Sequence, residues 1–416
     1  MVILTKKQQP APHFIEMIQE IIVKESIVKK LKRESIGVGV VGTGLMGVDH
    51  TNALRENGIQ VHGILASCVE KGQKFAEDMR IDRVYESFDD MLADDTIDFI
   101  HLTTPNYLHY VHAKAALLAG KHVACEKPLT MNSEESRELF VLAQEKNLVN
   151  AVNFNIRMYP MVQKARSMVQ NGEIGDLFII QGSYLQDWFL YPTDWNWRLD
   201  PKMGGQLRTV GDIGSHWIDL VSYICGLRIT EVFADFKTFH QKRMKPAISK
   251  TIPKKNQSSI QEIDIHSEDY AAILFHFENG VQGVLTLSQM CAGHKYKILF
   301  DINASQSSLF WIGERADELW VGHRDKPNQI LMAEPKQENQ KKSENDSARE
   351  SHSQLYANTM NEMYRRVYQY LLAGDYSYKP DFPTFEDGHY GMLVMDAIET
   401  SARDKSWKKV RLEDLK

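Results

Sequence analysis

The chain has 416 residues, of which 43% are hydrophobic and 25% are charged, and this composition is typical of a globular protein with room for two domains. Its formal net charge of −6 argues against bulk attraction to nucleic acid or to an anionic membrane. Four scattered cysteines, no metal-ligand spacing and no spanning apolar run favour a reducing cytoplasm. We therefore expect a cytoplasmic protein that uses no metal and binds neither nucleic acid nor a membrane.

The first half of the chain shows a regular alternation of patterns. Residues 1–34 are predicted to be an extension that is helical from Phe14 to Leu31. Over residues 35–155, short apolar runs alternate with helical patterns, which predicts βαβ units and a parallel sheet covered on both faces. The predicted strands are Ile36–Val41, Ile59–Leu65, Ile97–Thr103, Lys121–Cys125 and Val149–Phe154, and the helices between them are a segment ending near Asn57, Glu70–Met79, Tyr107–Leu118 and Ser133–Glu145.

Residues 156–416 have a different rhythm. Ala271–Phe277 and Val281–Gln289 are joined by Glu278-Asn279-Gly280, a strong hairpin pattern. It predicts an α+β domain with an open, mostly antiparallel sheet. Further strands are predicted at Lys295–Ile302 and Glu318–Val321, helices near Ile213–Ile224, Tyr356–Leu372 and Tyr390–Arg403, and solvated loops at Lys242–Gln261 and Glu334–Ser353.

A glycine-rich turn follows the first predicted strand. Gly42-Thr43-Gly44-Leu45-Met46-Gly47 has the GxGxxG pattern of a dinucleotide site. The first glycine permits the tight turn, the second admits a pyrophosphate, and the third allows close contact between helix and strand. An overlapping match at Gly37–Gly42 lies within the strand itself and is rejected.

The ribose end of the predicted cofactor site leaves two readings open. An acid that binds the ribose hydroxyls of NAD is expected about 20 residues after the glycines. The sequence there is Leu65-Ala66-Ser67-Cys68-Val69-Glu70, with no acid directly at the strand end. Ser67 either binds a ribose hydroxyl or a 2′-phosphate, or it caps the next helix. The cofactor is therefore predicted to be NAD or NADP.

Three further motifs complete a recognisable pattern: Thr104-Pro105-Asn106-Tyr107-Leu108-His109, Glu126-Lys127-Pro128 and Gly211-Asp212-Ile213-Gly214-Ser215-His216. In order and spacing, from about Ile36 nearly to the C-terminus, the chain resembles the Gfo/Idh/MocA oxidoreductases, which include glucose–fructose oxidoreductase and inositol dehydrogenases. The resemblance implies a Rossmann domain followed by an open-faced sheet domain that often makes the oligomer contact, and hence a homodimer or homotetramer.

The resemblance places the catalytic trio on Lys127, Asp212 and His216. A histidine with an ordinary pKa near 6.5 suits acceptance of a hydroxyl proton during hydride transfer. Asp212 precedes His216 by one helical turn and would orient the imidazole ring or accept a hydrogen bond from the substrate. Lys127 is counted after the fifth strand and would stabilise alkoxide charge. The resemblance also implies a cis Lys127–Pro128 bond. Taken alone, each of these short motifs would have a structural role more often than a catalytic one.

Other positions are assigned more loosely. The further predicted cofactor contacts, of which Asn106 and His109 are expected near the nicotinamide, are Thr103, Thr104, Pro105, Asn106, His109, Glu126 and Lys127. Arg157 either binds substrate hydroxyls or makes an ion pair between domains. Aromatic and polar side chains suit sugar recognition, and the predicted substrate contacts are Lys127, Arg157, Tyr159, Trp195, Arg198, Asp212 and His216, with core packing as the alternative for a tryptophan.

Three functions remain in competition at this point. The leading hypothesis is a dehydrogenase or reductase of a pyranose, inositol or related polyol. The second is glycoside hydrolysis assisted by transient oxidation of the sugar, and the third is a non-catalytic dinucleotide sensor. Net turnover of the cofactor separates the first from the other two.

Overall fold

The protein is described from a computed structural model that covers residues 36–246, 260–333 and 352–415. The predicted helical extension at residues 1–34 lies outside the described residues. None of the described helices is both long and apolar enough to cross a membrane.

The N-terminal sheet is parallel and has the strand order β2-β1-β3-β4-β5. Its strands carry buried aliphatic side chains because helices cover both faces. The strands are β1 Val38–Val41, β2 Val61–Leu65, β3 Phe99–Leu102, β4 His122–Cys125 and β5 Asn150–Val152, and the helices are α1 Leu45–Glu56, α2 Val69–Met79, α3 Phe88–Leu92, α4 His109–Leu118 and α5 Ser133–Glu145. The predicted parallel sheet is thus confirmed.

The numbering of the strands in the prediction was wrong by one. Lys127 follows β4, which is the fourth strand along the chain. The functional consequence is small, since the carboxyl ends of all these strands lie at the same edge of the sheet.

In the described part of the chain the second sheet has nine strands in the order β15-β14-β13-β12-β6-β11-β10-β7-β16, and only its β6–β11 pair is parallel. The predicted antiparallel character and the β10–β11 hairpin are confirmed. The strands are β6 Leu177–Leu185, β7 Ile229–Lys237, β10 Tyr270–Phe277, β11 Gln282–Ser288, β12 Lys297–Ala304, β13 Ser308–Ile312, β14 Glu318–Gly322, β15 Gln329–Met332 and β16 Lys408–Lys409, and a separate pair comprises β8 Lys242–Pro246 and β9 Ile260–Asp264.

Several of these elements correct the sequence analysis. The predicted loop Lys242–Gln261 begins in β8 and ends in β9, which pair with each other. The predicted loop Glu334–Ser353 lies mostly outside the described residues, and its end begins a helix at His352. The strands β6, β7, β13 and β15 and the helix at Pro160–Gln170 were not predicted.

Helices cover one face of the second sheet. The helices of this half are α6 Pro160–Gln170, α7 Pro201–Gly204, α8 Ser215–Cys225, α9 His352–Ala373 and α10 Phe385–Asp404. Inward side chains such as Ile180, Trp217 and Leu285 form a shared core with α6, α8 and α10. By contrast α9 packs into the core of the N-terminal sheet through Tyr364 and Tyr368. Because α9 belongs to the C-terminal part of the chain but packs against the N-terminal sheet, it ties the two parts of the fold together.

Candidate active site

The glycine turn between β1 and α1 has the geometry that its three glycines require. Gly42 has φ +111°, and a Cβ there would lie 2.6 Å from Thr103 Oγ1. A Cβ at Gly47 would lie 2.4 Å from the Gly42 carbonyl oxygen, which explains the close approach of helix and strand. A Cβ at Gly44 would meet no atom of the described residues within 4 Å. The space before Gly44 is therefore open to a ligand.

The N-terminus of α1 suits an anion. Gly44 is the N-cap and supplies no side-chain cap, and the first turn of α1 contains no acidic residue. The first N–H groups of the helix and its positive dipole end consequently face the open space. This cradle fits the pyrophosphate of a dinucleotide, whose nicotinamide would supply the hydride acceptor or donor.

One cavity of about 1410 Å³ joins this turn to the second sheet. It is lined from both halves of the chain, at the carboxyl edge of the parallel strands, where such sheets bind ligands. The predicted site residues that line it are Gly42, Thr43, Gly44, Leu45, Met46, Ser67, Thr103, Thr104, Pro105, Asn106, His109, Glu126, Lys127, Arg198, Asp212 and His216.

Lys127 and Asp212 meet in this cavity although 85 residues separate them. Lys127 follows β4, and its Nζ donates to the Asp212 carbonyl oxygen at 2.8 Å and to Oδ1 at 2.9 Å. Arg198 Nε lies 3.1 Å from the same Oδ1. Gln289, at the end of β11, donates to Asp212 Oδ2 at 2.9 Å. The Lys127–Pro128 bond is cis, as expected.

This arrangement keeps Asp212 ionised. Burial raises its pKa, but the charges of Arg198 and Lys127 outweigh burial and hold the pKa below its ordinary range. Oδ1 accepts a hydrogen bond from Lys127 and is ion-paired with Arg198, and Oδ2 accepts from Gln289. Asp212 therefore fixes the Lys127 ammonium in place and has little capacity left to act as a free base.

His216 completes the predicted trio. Asp212 lies in a single π-helical turn, Val210–Gly214, and His216 lies in the first turn of α8. Burial, followed by the charge of Lys127, lowers the pKa of His216 to about 3. The fold thus moves the pKa of this side chain well below the ordinary histidine value of about 6.5. Its Nδ1 is buried without a hydrogen-bond partner among the described residues, so His216 is a neutral imidazole at pH 7.

The far end of the cavity lies beyond β2. Ser67 is not the helix cap, because Cys68 occupies the N-cap of α2. Lys71, which sequence reasoning missed, lies one turn along α2, and its Nζ donates to Ser67 Oγ at 3.4 Å. Both residues line the cavity, whereas Glu70 does not.

Three predicted substrate residues do not line this cavity. Arg157 is buried in an ion pair with Asp219 and Asp387, which lie in the same predicted domain, so the expected ion pair between domains is not what forms. Tyr159 is buried against Trp311. Trp195 packs against a small apolar cluster of Phe189, Leu199 and Ile265, and the Lys245 ammonium lies over its ring. Each is held by partners elsewhere in the fold, so the structure does not bring these side chains to Lys127.

Two residues of the Thr104–His109 segment hold the cavity wall. Asn106 donates to the Gly204 carbonyl oxygen at 2.9 Å. The ring nitrogens of His109 lie 2.8 Å from the carbonyl oxygens of Pro128 and Thr104. These contacts link the loop after β3 to the loop after β4 and to α7, so they position the wall.

Comparisons with known protein families agree with this geometry. The model described as "Oxidoreductase family, NAD-binding Rossmann fold" matches residues 36–154, and the model described as "GFO/IDH/MocA C-terminal domain" matches residues 162–310. Together they cover more than half of the chain. The chain belongs to the Gfo/Idh/MocA oxidoreductase family. Its N-terminal half is accordingly the NAD-binding Rossmann domain of that family.

Two relatives and one solved structure show how similar the chain is to individual members of the Gfo/Idh/MocA family. A levoglucosan dehydrogenase of Pseudarthrobacter phenanthrenivorans is 28% identical over 299 residues, which are 69% of this chain and 76% of the relative. An inositol 2-dehydrogenase of Corynebacterium glutamicum is 28% identical over 205 residues, 48% of this chain and 57% of the relative. A solved levoglucosan dehydrogenase in complex with NADH and L-sorbose is 26% identical with a TM-score of 0.78, covering 91% of this chain and 99% of that one.

Beyond the family motifs, the cavity has lining residues that sequence reasoning missed. They include an amide at Gln186, indoles at Trp188 and Trp197, and phenols at Tyr184, Tyr296 and Tyr356. No local motif marks them, because their nearest neighbours in the sequence are ordinary strand, loop and helix residues. Trp195 was the predicted tryptophan contact, but Trp197 is the one that reaches the cavity.

Proposed function

We propose that the protein is an NAD(P)-dependent oxidoreductase that moves hydride between nicotinamide and a CH–OH group of a sugar, an inositol or a related polyol. The observation that carries the proposal is the Lys127–Asp212 pair beside neutral His216, in one cavity with the glycine cradle. Relatives named as levoglucosan and inositol dehydrogenases support the substrate class.

Lys127 and His216 have complementary parts in this mechanism. The ammonium of Lys127 is held by Asp212 and binds the reacting oxygen, so that negative charge developing there is stabilised. The uncharged ring of His216 accepts the hydroxyl proton as hydride leaves the carbon, and the Asp212 carboxylate offsets part of the lowering of its pKa by burial and Lys127. In the reverse direction His216 returns the proton to the oxygen.

The remaining lining suits a polyol. Gln186, Asn196 and Arg198 offer amide and guanidinium groups for hydroxyls, and Trp188 and Trp197 offer flat faces for the C–H surface of a ring. The Arg198 guanidinium already lies over the Trp197 ring at 4.5 Å. Substrate recognition is thus assigned to the loop of residues 186–198, together with Lys127, Asp212 and His216.

The test is an absorbance assay at the reduced-nicotinamide band. The purified protein is mixed with NAD⁺ or NADP⁺ and a panel of hexoses, pentoses, anhydrosugars and inositols. We expect reduced cofactor to accumulate in excess of the enzyme with at least one polyol. A flat signal across the panel and its keto forms, although cofactor binds, would contradict the proposal.

The residues after β2 favour NADP over NAD. A serine hydroxyl and a lysine ammonium are suitable donors for a 2′-phosphate, and Ser67 and Lys71 are held together there. The nearest acid in sequence, Glu70, accepts hydrogen bonds from its own backbone N–H and from Cys68, which lower its pKa. It therefore stays at the start of α2, away from the cavity lining.

A lysine substitution tests this preference. We expect Lys71→Ala to raise the Kd of NADP⁺ by about tenfold, because one charge-assisted contact is lost, and to leave the Kd of NAD⁺ within about twofold. Isothermal titration calorimetry measures both. Lys74→Ala is the matched control, since Lys74 is exposed on the same helix and lies outside the cavity lining. Equal effects on the two cofactors would overturn the preference.

The exposed face of the nine-stranded sheet is proposed to form the contact of a homodimer or homotetramer. On β6 and β10 the inward residues are buried under helices, whereas outward Ile179 and Leu274 are 46% and 45% exposed. Apolar side chains on an open sheet face favour association with a second copy.

A charge on this face should separate the subunits. We expect Leu274→Glu to shift the protein to a monomer in size-exclusion chromatography with light scattering, without unfolding it, because the side chain is already half exposed. Leu118→Glu, at an exposed position on α4, is the control. If the wild-type protein is itself a monomer at micromolar concentration, the assembly proposal is wrong.

A further inference from the structure

Glu126, the residue before Lys127, is attached to a buried chain of polar side chains that the mechanism above does not use. His50 Nε2 lies 3.0 Å from Glu126 Oε1, and His50 Nδ1 lies 3.1 Å from His101 Nδ1. His101 Nε2 in turn lies 3.0 Å from the Tyr368 hydroxyl. His50, His101 and Tyr368 are at most 1% exposed, and they come from α1, β3 and α9.

The chemistry of the groups limits how this chain is hydrogen-bonded. An ionised carboxylate only accepts, so His50 Nε2 carries a hydrogen that it donates to Glu126. His50 Nδ1 lies between His101 Nδ1, at 3.1 Å, and the Tyr364 hydroxyl, at 3.0 Å. A neutral His101 has one donor and one acceptor nitrogen, which bond to His50 and to the Tyr368 hydroxyl. Burial and the neighbouring His50 lower the pKa of His101 well below its ordinary value, so His101 is neutral.

The other end of the chain is buried away from solvent. Tyr368 is fully buried, and its hydroxyl is the last group of the chain. Glu126 also accepts from Asn153 Nδ2 and from the backbone N–H of Lys127. Burial raises the pKa of Glu126, but the contacts with His50, Lys127 and Asn153 outweigh burial and bring it to about 2. The chain therefore maintains a fixed negative charge in the cavity wall, next to the catalytic lysine.

We propose that His50, backed by His101 and Tyr368, is a positioning residue that holds Glu126 as an oriented carboxylate, and that this charge makes the site favour the oxidised nicotinamide cofactor over the reduced one. Glu126 lines the cavity and adjoins Lys127 at the carboxyl edge of the sheet. The oxidised nicotinamide ring carries a positive charge that reduction removes, so a fixed anion at this edge stabilises the oxidised form selectively. The inference rests on the proposed dinucleotide binding.

The experiment measures the Kd of NADP⁺ and of NADPH for the whole protein by isothermal titration calorimetry, and compares their ratio among variants. We expect Glu126→Gln to raise Kd(NADP⁺)/Kd(NADPH) by about tenfold, because an isosteric amide removes the charge. His50→Phe should raise the ratio in the same direction, since Glu126 then loses its imidazole donor. Tyr368→Phe should do so more weakly. Tyr370→Phe removes a hydroxyl on the same helix as Tyr368 that donates to the Tyr378 carbonyl oxygen, and it should leave the ratio unchanged.

The double variant His50→Phe/Glu126→Gln decides whether His50 acts through Glu126. Its ratio should equal that of Glu126→Gln alone. A role in packing alone would change both dissociation constants by the same factor, and that result would overturn the inference, as would a ratio that responds to Glu126→Gln but not to His50→Phe. If the wild-type protein binds neither NADP⁺ nor NADPH, nor their NAD counterparts, the proposed function itself fails.

Discussion

Replacement of Lys127 by methionine should lower kcat by about 10²-fold or more, because the one ammonium that stabilises charge on the reacting oxygen is lost. Methionine keeps the length of the side chain but cannot donate to Asp212. Arg198 and Gln289 still hold that carboxylate, so the cavity should keep its shape. The glycine cradle is formed by other residues, and the Kd of the dinucleotide should therefore stay within about threefold. Steady-state kinetics and a binding titration measure the two quantities separately.

A matched lysine lies at the other end of the same strand. Lys121 precedes β4, and its Nζ donates to the carbonyl oxygens of Asp94 and Ile97, at 3.0 and 2.7 Å. Lys121→Met should therefore lower the melting temperature and leave kcat nearly unchanged. Near-normal turnover of Lys127→Met, or an equal loss of turnover in both variants, would remove Lys127 from the chemical step.

The N-terminal half of the fold could be predicted closely because its local signals agree. Five apolar strands alternate with helices, and a glycine turn lies at the only place where a dinucleotide would need it. The helix Ser133–Glu145 was predicted with its observed bounds, and its N-cap, Asn132, does accept a hydrogen bond from Glu135 N–H. Local propensity and long-range packing specify the same structure there.

The second half was harder because its strands are buried on one face only. β6 reads Leu-Phe-Ile-Ile-Gln-Gly-Ser-Tyr-Leu, and its inward positions Ile180, Gly182 and Tyr184 alternate with exposed or half-exposed ones. The inward position 182 is a glycine because the indole of Trp217 takes the space of a side chain there. Trp217 lies 35 positions later in the sequence. No window of local sequence contains that contact.

The site shows the same division between local and distant information. The motifs for Lys127, Asp212 and His216 could be read from the sequence, and the structure brings all three together. Arg157 could not be assigned, because its partners Asp219 and Asp387 lie 62 and 230 residues away. Gln289 carries no motif at all. Lys71 could have been found, since a lysine four residues after Ser67 on a predicted helix lies on the same face.

The largest effect on cofactor binding is expected from Gly44→Val. The Gly44 backbone has φ −83° and ψ −168°, which a valine can adopt, and its Cβ would meet no atom of the described residues within 4 Å. The isopropyl group would instead fill the open space before the N-terminus of α1. We expect the Kd for NAD⁺ and NADP⁺ to rise by about 10²-fold or more, with a loss of folding stability of about 1 kcal/mol or less. Titration calorimetry and thermal unfolding measure the two effects.

Gly47→Val, three residues further on, should behave in the opposite way. A side chain there would lie 2.4 Å from the Gly42 carbonyl oxygen, so α1 could not stay against β1. We expect that variant to lose several kcal/mol of stability and to lose cofactor binding through unfolding. A folded Gly44→Val protein that still binds the dinucleotide tightly would show that the space before α1 is not the pyrophosphate site. If it unfolds as readily as Gly47→Val, the open geometry at Gly44 is wrong.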